Sequence, residues 1–127
     1  MTPAPSDPAS THELALEAGR LAVEKKARDV VVLDMRELTA MCDYFVLATA
    51  DSEPQVKAVV ESVEKGLTGR DQKPWHIEGM EGKRWVILDY VDFVVHVFNP
   101  ETRDTYVLDR LWGDAPREVI EGGTGNP

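Results

Sequence analysis

The chain has 127 residues, 43% of them hydrophobic and 29% charged, which suits one soluble globular domain with a single core. Acidic residues outnumber basic ones by 23 to 14, a formal charge of -9, so phosphate backbones are repelled and direct nucleic-acid binding is not expected. Lys25, Lys26 and Arg28 cluster, but acids flank them, and a basic protein partner suits this charge better. The single cysteine, Cys42, excludes an internal disulfide and a multi-cysteine metal site, and points to a reducing compartment. No apolar run approaches the roughly 20 residues of a membrane span, and the proline-rich start is no signal peptide, so the expected location is cytoplasmic.

Residues 1–9 read as a disordered Pro/Ala/Ser tail, and 114–127 as a mostly flexible tail that is Gly-rich and polar from Glu121. The domain lies between them, over 10–113. Ser10 and Glu13 form a capping-box pattern, and Leu14, Ala18, Leu21 and Ala22 follow at helical spacing, predicting a helix to about Arg28. Val30 to Leu33 reads as a short buried strand. Tyr44 to Ala50 is apolar on both faces, as a central strand should be.

Ser52 with Gln55 offers a second capping pattern, ahead of the stripe Val56, Val59, Val60, Val63 and Leu67. Gly66 and Gly69 mark the expected end of that helix. Trp75 to Ile77 reads as a short strand. Arg84 to Asp89 and Asp92 to Phe98 are two stronger strands joined by a tight turn. Asn99 and Pro100 then open a last helix, expected to run to Trp112. The order α-β-β-α-β-β-β-α argues an α/β fold, a mixed β-sheet with packing helices.

Few residues suggest chemistry. Asp89 and Asp92 could serve a metal-dependent nucleotidyltransferase-like enzyme, which needs carboxylates converging on one cation. Their spacing of three sends them to opposite faces of a straight strand, and no Gly-rich phosphate loop precedes them, so solvated acids at strand ends are the plainer reading. His96, between Val95 and Val97, reads as a hydrogen-bonded core histidine. Cys42 beside Asp43 is disfavoured as a thiolate. No metal or cofactor is expected. Trp85, Tyr90, Tyr106 and Trp112 crowd the last third among the acids Glu78, Glu81, Asp89, Asp104 and Asp109. An aromatic patch in an acidic rim is what a basic, partly apolar partner would want, which favours a binding module over an enzyme.

Along these residues the chain resembles the ribosomal silencing factors, also called Iojap-like. The resemblance rests on Asp29-Val-Val-Val-Leu-Asp34, Asp43-Tyr-Phe-Val-Leu-Ala-Thr49, Gln55-Val56, Glu78-Gly79 and Trp85. It continues through Asp92-Phe-Val-Val-His-Val-Phe98 and Tyr106-Val-Leu-Asp-Arg-Leu-Trp112, covering about His12 to Trp112. It implies a nucleotidyltransferase-like fold without the catalytic carboxylates, and a homodimer when free. It also implies binding to ribosomal protein fourteen of the large subunit, where the bound factor sterically blocks subunit joining and represses translation when nutrients run short. The matching partner-binding positions are Trp85, Asp89, Asp92, Tyr106, Leu108 and Trp112. The sequence departs from the family pattern at Ala50, at Pro54, and at Val91, where the hairpin usually has glycine. Valine resists positive φ, so a turn of the primed kind is not expected there.

Overall fold

The computed structural model describes residues 8–106 and 113–120. Helix α1 spans Pro8–Glu24, so Pro8 and Ala9 belong to the helix rather than to a tail, and Ser10 lies inside the first turn instead of capping it. The helix also stops short of Arg28. Lys26 turns left-handed (φ 69°), and the amides of Lys26 and Ala27 bond back to the carbonyls of Val23 and Ala22, closing the last turn in a Schellman pattern.

Strands β1 (Arg28–Asp34) and β2 (Tyr44–Thr49) follow, then α2 (Glu53–Thr68). Ser52 caps α2 by accepting from the Gln55 amide at 3.2 Å. The Gln55 side chain accepts from the Asp51 amide and donates to the carbonyls of Lys25 and Lys26, tying the start of α2 to the end of α1. The apolar stripe Val56, Val59, Val60, Val63 and Leu67 is buried throughout. Gly66, expected to mark the helix end, lies inside it instead. A Cβ there would sit 2.5 Å from the Leu21 side chain, so glycine lets α1 and α2 approach closely.

The remaining elements are β3 (His76–Glu78), β4 (Trp85–Asp89), β5 (Phe93–Phe98), α3 (Pro100–Tyr106) and β6 (Arg117–Val119). β6 corrects the expectation of a flexible tail from 114 onward: it pairs antiparallel with β1, and Ala115 just before it is buried. An isolated three-residue strand carries too little pattern to be seen in sequence, and only the open edge of β1 makes it one. The expected continuation of the last helix to Trp112, and the outer parts of both tails, lie outside the described residues.

The sheet order is β3-β4-β5-β2-β1-β6; β2 runs parallel to β5 and the other pairs are antiparallel, giving the expected mixed sheet. Because side chains alternate across a strand, the sheet has two different faces. One carries Val30, Val32, Val46, Ala48, Val86, Leu88, Val95 and Val97, covered by the apolar faces of α1 and α2. The other carries Val31, Leu33, Leu47 and Phe98, with Phe45, Trp85 and Val94 only partly buried and no α1 or α2 residue in the cluster.

Candidate functional site

That second face carries Trp85 and Asp89, two of the expected partner-binding residues. Trp85 opens β4 and pairs with Phe98, on whose ring it stacks with centroids 5.2 Å apart. Its indole N–H donates to Nδ1 of His96 at 3.0 Å, which fixes His96 as a neutral imidazole carrying its proton on Nε2. His96 is only 6% exposed among the rings of Phe45, Trp85 and Phe98, and this burial pulls its pKa down to about 4. Its Nε2 is buried and has no hydrogen-bond partner among the described residues. The histidine read as a hydrogen-bonded core residue is therefore one, and its acceptor orients the half-buried tryptophan.

Asp89 ends the same strand, and period-two alternation puts it on the face of Trp85. Its Oδ1 accepts the Val91 amide at 2.7 Å, so one carboxylate oxygen is engaged in the turn. Asp92 lies beyond the turn and before β5; its amide donates to the Tyr90 carbonyl at 2.8 Å. Val91, between them, has φ 73°, against the expectation that valine would avoid this region. Two hydrogen bonds close the turn around it and override the intrinsic preference; the resulting three-residue turn belongs to the rare, strained kind. Among the described residues no three His, Cys, Asp or Glu side chains are grouped to hold a metal.

The other candidates separate. Tyr90 is 7% exposed and stacks on Phe93 under the helices, so it belongs to the core and not to an exposed aromatic patch. Tyr106 is the last residue of α3; Leu108 and Trp112 lie outside the described residues. Two exposed apolar residues escaped the sequence reading. Trp75 (74% exposed) and Met41 (88%) face a groove of about 540 Å³ whose lining also includes Cys42, Phe45, Asp89, Val91 and Val94. The one available signal is Met41 standing outside any apolar periodicity; Trp75 falls in the run expected to form a strand with Ile77, whereas β3 begins one residue later, at His76. Burial, with Asp43 and Asp89 nearby, pushes the Cys42 thiol up to about 11, so it stays protonated.

The protein is thus of the α/β class, with α1 and α2 on one sheet face and a half-buried aromatic and acidic row on the other. Comparisons narrow the class. The family described as "Ribosomal silencing factor during starvation" matches residues 8–126. A relative from Halalkalibacterium halodurans named "Ribosomal silencing factor RsfS" is 38% identical over 113 residues, covering 89% of this chain and 97% of the relative. The mouse "Mitochondrial assembly of ribosomal large subunit protein 1" is 33% identical over 92 residues, 70% of this chain and 40% of that protein. A crystal structure of a Chromobacterium violaceum protein superposes with a TM-score of 0.76 at 34% identity, covering 94% of this chain and 97% of that one. The chain belongs to the ribosomal silencing factor family.

Proposed function

We propose that this protein docks on the large ribosomal subunit through ribosomal protein fourteen and sterically blocks joining of the small subunit, repressing translation under nutrient limitation. It acts in the cytoplasm without catalysis, metal or direct nucleic-acid contact, and is a homodimer when free. The observation that carries this reading is the family match across residues 8–126, together with the sheet face opposite α1 and α2, on which His96 orients Trp85. Trp85, Asp89, Asp92, Tyr106, Leu108 and Trp112 form the proposed contact. The charge of -9 supports a basic partner.

The test is co-sedimentation with purified large ribosomal subunits, pull-down by ribosomal protein fourteen, and a light-scattering assay of subunit joining. Trp85→Ala should cost about 2 kcal/mol of stability, less than a fully buried tryptophan, because the ring is partly exposed. It should remain folded by circular dichroism yet lose binding by at least roughly thirtyfold, as truncation of a central anchor does. Tyr106→Ala should behave alike. Variants that fold and still block joining would sink the proposed contact. A nucleotide-dependent rise in melting temperature with magnesium or manganese, abolished by Asp92→Asn, would favour the enzyme reading instead.

A further inference from the structure

The groove beside Asp89 brings together apolar side chains from three separate stretches of chain. Met41 comes from the β1–β2 loop, Trp75 from the segment before β3, and Val91 from the β4–β5 turn. Single exposed hydrophobics are ordinary, but three converging on one concavity, floored by Phe45 and Val94, mark a recognition surface. Val91 strengthens the case. It is 57% exposed, so no core packing holds its isopropyl group, yet it occupies a backbone region where glycine would sit without strain. Bonds from the Val91 amide to Asp89 and from the Asp92 amide to Tyr90 lock that turn. The result is an apolar side chain held at the groove's rim.

Charge selects the occupant. Asp89 lines the groove, Asp43 lies close enough to act on the Cys42 thiol, and among the described residues neither lysine nor arginine lines it. The hollows along β1 and β6, by contrast, carry Arg28, Arg36, Arg103 and Arg117. An acidic lining suits a basic occupant better than a second copy of this acidic chain. We propose that the groove docks an apolar side chain carried on a lysine- or arginine-rich protein segment of the large ribosomal subunit, as a second anchor beside the Trp85 face. The proposal rests on the docking reading above.

The experiment uses the full chain, purified large ribosomal subunits and co-sedimentation, with thermal melts and sedimentation-equilibrium mass in parallel. Trp75→Ala should weaken binding by at least about tenfold with an unchanged melt, since the side chain is mostly in water. Val91→Gly should melt at or above wild type, because strain is relieved, and still bind more weakly. Met41→Lys should weaken binding more than Met41→Glu does, because it places a positive charge against a basic segment. Wild-type binding by all four variants, with Trp85→Ala impaired, would overturn the groove and leave the docking reading intact. Loss of binding by the groove variants with Trp85→Ala unimpaired would keep the groove and overturn the Trp85 contact. Dissociation of a dimer by Trp75→Ala with unchanged subunit binding would assign the groove to a second copy and overturn the proposal. A wild-type chain that fails to sediment with the subunit would overturn both readings.

Discussion

Replacing His96 with leucine should flatten the pH dependence of folding. His96 is enclosed by the rings of Phe45, Trp85 and Phe98, and burial is the sole cause of its pKa of about 4. In the unfolded chain the imidazole titrates near its ordinary value of about 6.5. The sign follows from proton uptake: between about 6.5 and 4 the unfolded state binds a proton that the folded state refuses. Stability is therefore complete above pH 6.5 and is lost as pH falls toward 4, at up to about 1.4 kcal/mol per pH unit. By pH 5 the loss is about 2 kcal/mol, from roughly 1.5 units below the unfolded pKa. Urea titrations of wild type and His96→Leu at pH 7.5, 6 and 5 measure it. His12 beside Glu118 and His76 beside Glu78 are present in both proteins and cancel in the comparison. The leucine also leaves the Trp85 N–H without its acceptor, which shifts the stability at every pH but not the slope. Wild type should lose about 2 kcal/mol more than the variant between pH 7.5 and 5, by the same linkage. Parallel slopes would refute the buried, neutral imidazole.

Val60→Asp should abolish folding, since Val60 is 2% exposed between α2 and the sheet and an unpaired buried charge costs several kcal/mol, on the order of the whole domain's stability; native circular dichroism in the soluble variant would contradict the core assignment. A chain ending at Ile120 should melt like wild type, whereas one ending at Asp114 should melt several degrees lower. The shorter chain removes β6, the Pro116 carbonyl that receives the Asp34 amide, and the Ile120 amide bond to Val30, leaving β1 as an open edge. Equal melting temperatures for the two would show that β6 contributes nothing to stability.

Local pattern was enough to find the helices and the strong strands, because each depends on nearby residues. The stripe from Val56 to Leu67 makes a helix wherever it is placed, and the doubly apolar Tyr44 to Ala50 run can be satisfied only in the middle of a sheet. Buried His96 was legible for the same reason: an apolar strand around it demanded a hydrogen-bond partner. That the partner is Trp85 was not, because the two meet only when β4 folds back against β5. Tertiary structure also decided the points where intrinsic preference lost. Gly66 continues a helix because Leu21 needs the space, Val91 accepts a left-handed turn because hydrogen bonds close around it, and 117–119 become a strand because β1 has an unpaired edge. The groove of Met41, Trp75 and Val91 belongs to this second group. Its residues are separated by more than thirty positions at one step and by about fifteen at the next, and no periodicity links them. Periodicity reports which side of one element is buried; which elements share a surface depends on the order of strands in the sheet, and that order is set by packing between segments far apart in the chain.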